Sequence, residues 1–434
     1  MNTRTKLSLA AASAISSFCA FAGSAHAQAF YLQEQSARAA GRAFSGEAAD
    51  TGPSSLWWNP ASIAGIDGIQ GDISASLILP EGEIRNNGTV IVRPGQSAAS
   101  VGGDPVATNP IESGVLPSGS IAVPIGNRLA VGLTFASPYS FTTDYDDGAW
   151  TRYSADRTRL RTYDIQPSIA FAVTPWLRIG GAANIEHAEA TLTNALPNLS
   201  AALPDGMQSL SGDGWDVGWS AGAQIDGGPV TLGLSYKSSI EHDLKGDLSI
   251  SGLLGPLAAQ NLDLSGVHAT YSTPWQAIGS VRFAATDKLT LNAQVIRYGW
   301  SKFDSIDIGD PVDTSIPENY KNTWSYAGGF DLQVDPQLTL RAGVQYAGTP
   351  TRDGYRDPRV PDSDRWNFAT GASIKVSDHF AVDAAANYIR FEDAPIDKPT
   401  AAYAGTVVQT PVVVDGQLND ASAVVLSLGG RFNF

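Results

Sequence analysis

Cysteine is all but missing from this chain: Cys19 is the only one among 434 residues. A single thiol excludes a disulfide framework and a Cys-based zinc site. Basic residues are also scarce, with 28 Lys and Arg against 43 Asp and Glu and a formal net charge of −15. So acidic a chain lacks the cationic surface that phosphates need, which excludes nucleic acid as a partner. The five histidines are scattered, and none stands in a metal-ligand spacing. Glu241-His242-Asp243 reads as a polar loop, and no phosphate-cradling glycine loop occurs. Neither a catalytic group, a metal centre nor a cofactor is expected. After residue 27 no stretch reaches the roughly 18–20 consecutive apolar residues of a membrane helix. The hydrophobic content of 43% nevertheless excludes a disordered chain.

The opening residues have the make-up of a secretory signal peptide. Arg4 and Lys6 precede the apolar, small-residue stretch Leu7 to Gly23, and Ala25-His26-Ala27 is a small-x-small cleavage site. Residues 1–27 are therefore expected to be removed by cleavage before Gln28. An exported chain without an apolar helix is either soluble or a transmembrane barrel.

The pattern from residue 70 onward favours the barrel. Leu338, Leu340, Ala342, Val344 and Tyr346 fall on one face of an extended segment, and Thr339, Arg341, Gly343 and Gln345 on the other. Side chains alternate across a strand, so such segments are two-faced strands. Fourteen can be placed, beginning near Gln70, Ser118, Leu129, Arg161, Leu177, Asp213, Pro229, Gln276, Leu289, Asn322, Leu338, Arg365, Phe380 and Ala421. Their connections alternate between short turns, such as Gly126-Asn127 and Asp335-Pro336-Gln337, and long loops, such as 191–212 and 239–275. Short turns at one end and long loops at the other characterise outer-membrane barrels. The last segment alternates from Val424 to a terminal Phe434, and Trp176, Tyr236, Trp275, Trp300, Trp324, Tyr346, Trp366 and Tyr388 near strand ends read as aromatic girdles. The expected fold is an all-β, 14-stranded antiparallel transmembrane β-barrel over residues 69–434, in a Gram-negative-type outer membrane with lipid and lipopolysaccharide around it.

Residues 28–68 do not alternate. They are rich in alanine and small residues and end on Leu56-Trp57-Trp58-Asn59-Pro60-Ala61. A barrel of this size encloses a lumen too wide for its own side chains to fill. A compact N-terminal plug would fill it, with Asn59-Pro60 as a rigid turn inside it.

Gln28-Ala29-Phe30-Tyr31-Leu32-Gln33-Glu34, Gly41-Arg42-Ala43-Phe44-Ser45-Gly46-Glu47 and Asn59-Pro60-Ala61 together resemble the N-terminal hatch of the FadL/TodX family. Glu318-Asn319-Tyr320-Lys321, Leu340-Arg341-Ala342-Gly343 and Pro361-Asp362-Ser363-Asp364-Arg365 resemble later family landmarks. The family comprises outer-membrane transporters of long-chain fatty acids and other hydrophobic compounds. The resemblance implies capture on apolar extracellular loops, transfer to a lumenal pocket, a hatch rearrangement, and sideways release near a kinked third strand. It assigns Phe30 to the pocket and Lys321 to a fatty-acid carboxylate, whereas Thr193-Asn194 occupy the place of a second expected cation. The loop leucines Leu196, Leu199, Leu203, Leu253, Leu254 and Leu257 are expected to contact cargo, to bury one another as a cap, or both, and Gly132 and Pro138 to produce the kink. The partner is then a hydrophobic small molecule and the protein a monomer. The alternative, a general diffusion porin for small polar solutes, requires residues 28–68 to lie outside the lumen.

Overall fold

The computed structural model describes residues 29–434, so the expected signal peptide lies outside the described residues. All fourteen expected strands are present. β1 is Gln70–Asn86, β2 Gly114–Ile125, β4 Arg157–Thr174, β5 Leu177–Leu196 and β6 Gly206–Asp226. β3 is broken into Leu129–Ala136 and Ser140–Asp144, β7 into Val230–Lys237 and Glu241–Ser251, and β8 into Leu262–Ser272 and Trp275–Ala284. β9 is Leu289–Gly299, β10 Thr323–Gln333, β11 Leu338–Ala347, β12 Arg365–Lys375, β13 Phe380–Phe391 and β14 Gly416–Asn433. Each strand pairs antiparallel with the next, and β14 returns to β1 from Gln70↔Asn433 to Asn86↔Gly416. That closure removes the free edge strands of an open sheet, as a bilayer requires.

Alternation sorts the side chains between lipid and lumen. On β4, Thr162, Asp164, Gln166 and Ser168 are buried, while Ile165, Ile169 and Phe171 face outward. On β14, Val424, Leu426 and Leu428 face outward and Val425 and Ser427 inward. Trp176, Tyr236, Trp324, Trp366 and Tyr388 are exposed on the outer wall, as girdle residues are. Trp300 departs from that expectation: it is 0% exposed. It lies past the end of β9 in a short 3-10 turn, Trp300–Lys302, where the period of two no longer dictates its direction. Glu241-His242-Asp243 also departs from the polar-loop reading, since it opens the second piece of β7. His242 is buried there, between Glu186 at 3.1 Å and Asp216 at 3.2 Å.

The N-terminal segment is almost wholly buried and bonds to strands on every side. Ala37 N–H donates to Ser74 Oγ of β1 (3.1 Å) and Glu47 N–H to Gln294 Oε1 of β9 (2.8 Å). Side-chain amides of Gln166 on β4, Gln224 on β6 and Asn387 on β13 donate to the carbonyls of Leu56, Ala48 and Ala40. These bonds matter because the segment contains one α-helical turn, Ala37–Ala40, and three 3-10 turns, which leave most of its backbone polar groups without internal partners. Inward-facing glycines make the room. A Cβ at Gly180, Gly222, Gly233 or Gly343 would collide with Pro60, Asn59, Ala48 or Arg42.

Charge fixes the segment as well. Arg42 is fully buried and pairs with Glu47 (2.7 Å), Asp50 (2.5 Å) and, on β10, Asp331 (3.1 Å). Arg282 of β8 and Arg341 of β11 also reach Asp331. Buried charges are tolerated only when paired in this way.

Candidate functional site

Phe30 sits in a box of aromatic rings. Its ring centroid lies 5.0 Å from Trp300, 5.3 Å from Phe303, 5.8 Å from Phe141 and 5.9 Å from Tyr139. The Trp300, Phe303 and Tyr139 contacts are edge-to-face, the arrangement that opposes positive ring edge to negative ring face. Phe30 is 4% exposed and is held from both sides in the chain. Ala29 N–H donates to Asp362 Oδ2 (2.9 Å), and Leu32 N–H donates to the Pro138 carbonyl (2.7 Å).

Two cavities meet at this box. The larger, about 450 Å³, is lined by Phe30, Leu32, Ile84, Leu418 and Val425 inside the barrel and by Ile111, Val115 and Pro117 where β2 passes the break in β3. It thus joins the lumen to the wall. The smaller, about 80 Å³, is lined by Leu192, Leu210, Leu244, Val267 and Ile306. Phe30, Phe141, Leu160 and Val360 line both, so they form the partition.

The wall is open at β3 for a structural reason. The β2–β3 ladder ends at Gly119↔Phe135, although β2 continues to pair with β1 as far as Gly114. Across β4, Ala136↔Asp164 is followed by Ser140↔Arg161, so three residues of β3 oppose two of β4. Such a bulge bends a strand and interrupts its pairing on one side. Pairing resumes beyond the gap, where Ile111 bridges Thr143 and Glu112 N–H donates to the Thr142 carbonyl (2.9 Å). Pro138 lies in it and has no N–H to give to β2. Gly132 lies in the regularly paired part of β3, against Leu56 and Ile63 of the N-terminal segment. The structure therefore places Pro138, but not Gly132, at the break.

Asn59-Pro60-Ala61 forms a buried anchor of the segment. The Asn59 side chain accepts from Ala61 N–H (2.9 Å) and donates to the Ala48 carbonyl (2.6 Å) and to the Ala223 carbonyl of β6 (3.2 Å).

The loop leucines occupy a different place from the cavities. Leu196, Leu253 and Leu257 are buried in one cluster, with Leu199, Tyr403 and Val408 against it. Asn198 ties the loops together, donating to the Pro204 carbonyl (2.7 Å) and accepting from Leu254 N–H (2.9 Å). Apolar loop residues are stabilised by burying one another, which makes a lid rather than an open groove. Leu203 and Leu254 stay outside it, 39% and 41% exposed. None of the six lines either cavity.

Lys321 also stands apart from both cavities. Partial burial lowers its pKa, against the opposing pull of Asp364 and Asp353. The position left without a cation at Thr193-Asn194 is filled from another loop. Arg359 donates to the Thr193 carbonyl (3.2 Å) and to Asn194 Oδ1 (3.1 Å), and it lines the smaller cavity beside Glu318 and Asp357. Burial pushes the Glu318 carboxyl up, and Lys398, 2.8 Å away, works against that shift. Arg359 lies 165 residues from Asn194, and no local pattern announces the contact. Trp300 was legible only as an interfacial aromatic, and its part in the box required the fold.

A closed barrel with an apolar outer wall, a filled lumen and an apolar cavity open through that wall defines an outer-membrane channel for molecules that avoid water. The chain belongs to the outer membrane protein transport protein family (OMPP1/FadL/TodX), whose model matches residues 18–434. It is 25% identical over 429 residues to the long-chain fatty acid transport protein of Escherichia coli O6:H1, covering 89% of this chain and 91% of that protein. The crystal structure of a Pseudomonas aeruginosa FadL homologue matches it with a TM-score of 0.81 at 25% identity, over 94% of this chain and 100% of that one. The Ralstonia pickettii toluene transporter TbuX shares the fold, with a TM-score of 0.65 at 16% identity over 92% of this chain and 98% of that one.

Proposed function

We propose that this outer-membrane protein imports hydrophobic compounds, long-chain fatty acids or hydrocarbons, by diffusion with sideways release into the membrane. One observation carries the reading: the cavity of about 450 Å³ that runs from Phe30 to the break in β3. Its volume falls in the range of roughly 300–1,000 Å³ of small-molecule sites. Residues 28–68 act as the hatch and residues 69–434 as the barrel, and one copy suffices because a single chain supplies both cavities. Leu203 and Leu254 are the apolar contacts left for first capture, and Phe30 is the gate between the chambers. Of the cations at the cavities, Arg359 is engaged by Thr193 and Asn194, Arg159 also lines the smaller cavity, Arg161 and Arg365 line the larger, and Lys321 lies off the route. The larger cavity is lined mainly by apolar side chains, so cargo with or without a carboxylate is admitted, and no chemical reaction is assigned to the protein.

Cells relying on this protein should take up labelled hexadecanoate and hexadecane alike. Leu160→Asp, which puts a charge into the partition, should cut both rates about tenfold, since an unpaired buried carboxylate opposes apolar cargo. Equal uptake with and without the protein would overturn the proposal. The porin reading predicts large, stable single-channel conductance for small ions, which the bonded N-terminal segment opposes.

A further inference from the structure

The break in β3 exposes backbone groups that its neighbour β2 does not satisfy. Ser137, Pro138 and Tyr139 form it, and Ser137 is buried. Their polar groups are taken up from inside. Pro138 offers its carbonyl to Leu32 N–H, and Tyr31 bridges Tyr139 antiparallel. Tyr139 N–H donates to Thr162 Oγ1 (3.0 Å). The two backbone groups of Ser137 go to one side chain: its N–H donates to Gln35 Oε1 (3.1 Å), and its carbonyl accepts from Gln35 Nε2 (3.1 Å). A side-chain amide bonded to both the N–H and the C=O of one residue reproduces what a neighbouring strand supplies. Gln35 is itself buried, and Nε2 also reaches the Leu32 carbonyl (3.2 Å), which stiffens the clamp against its own segment.

We infer that Gln35 is a positioning residue for lateral release: its amide replaces β2 as the partner of Ser137 and so holds the wall open beside the cavity. The inference rests on the proposed sideways route. Without the clamp, Ser137 must find other partners, and β2 between Gly114 and Ser118 has no ladder on its β3 side. Pairing there would narrow the opening lined by Val115 and Pro117. The Gln35 clamp thereby adds to the Tyr31 and Leu32 contacts a side-chain joint between hatch and wall, five positions along the chain from Phe30. A shift of the segment that frees Phe30 from its box also strains the hold on Ser137.

The test separates release from binding. Uptake rate and equilibrium binding of labelled hexadecanoate are measured for the full-length protein, for Gln35→Leu and for Gln35→Glu. Gln35→Leu loses both bonds and should slow uptake about tenfold while binding stays within about twofold, because buried backbone groups left unpaired are costly. Gln35→Glu can still accept from Ser137 N–H but cannot donate to its carbonyl, and it should fall between. Should Gln35→Leu fail to assemble, Gln35→Glu carries the test alone. Unchanged uptake in the assembled variants, or a loss of binding in proportion to the loss of uptake, overturns the inference. Leu116→Trp, which fills the mouth of the cavity, tests the sideways route itself. If it leaves uptake intact, the route is wrong. If it blocks uptake while the Gln35 variants do not, only the role of Gln35 falls.

Discussion

Replacing Phe30 by alanine should tighten the binding of a long-chain apolar cargo about tenfold while making the protein less stable. Phe30 fills an aromatic box that stands between the two cavities. Cargo that passes from one to the other must move it. Burying one phenylalanine contributes roughly 2–3 kcal/mol. If about half of that must be given up when cargo enters, the penalty is ~1.4 kcal/mol, or tenfold in affinity. A binding-competent state that is rarely populated weakens apparent affinity in just this way, and removing the competitor restores it. The truncation also leaves a cavity, which for Phe→Ala changes costs about 3–5 kcal/mol. Titration with labelled hexadecanoate in detergent, beside a thermal melt, reads both effects. Weaker binding in Phe30→Ala would show that the ring supports the cargo site instead of occupying it.

Arg42→Ala should release the N-terminal segment from the barrel without unravelling the barrel. Arg42 is 0% exposed and faces three carboxylates, those of Glu47, Asp50 and Asp331. Removing one partner from a buried ion network costs about 3–5 kcal/mol because the remaining charges lose compensation. The strand ladders do not pass through Arg42, so closure from β1 to β14 is unaffected. The loss falls on the docking of the segment. Its bonds to Gln166, Gln224, Gln294 and Asn387 would then be exchanged for bonds to water. Single-channel recording should show ion conductance rising from near zero to that of an open lumen, and protease should cut within residues 28–68 of the variant only. A variant that stays closed and resistant would mean that the aromatic box and the Asn59 anchor hold the segment without Arg42.

The barrel was legible in the sequence because lipid and water impose opposite demands on alternate residues. Val424, Leu426 and Leu428 advertise one face in the middle of the last strand, and the same rule located the other thirteen. Alternation states which way a side chain points and is silent about what it meets. Trp300 was misplaced in the girdle because it lies one residue beyond β9, where the rule lapses. The leucines of the loops were legible as apolar, with mutual burial as a cap one of two readings, but not which of them pack together: Leu196, Leu253 and Leu257 join loops more than fifty residues apart, while Leu203 and Leu254 stay exposed. Arg359, reaching Thr193 and Asn194, shows the same limit for charge. Asn59-Pro60 was legible as a rigid turn from its own chemistry, whereas Phe30 was supplied by the resemblance alone. Gln35 could not be singled out beforehand, because its importance comes from a break in a strand 102 residues away.

The central claim is an apolar route that leaves through the wall, past a filled lumen. Anomalous diffraction from crystals soaked with 16-bromohexadecanoate tests it most directly. The route through the wall predicts a bromine peak in the cavity bounded by Phe30, Phe141 and Ser137, with residues 37–64 still in contact with Gly180, Gly222 and Gly343. A peak on the barrel axis among Arg42, Asp50 and Asp331, with the N-terminal segment displaced, would show an axial channel and contradict it.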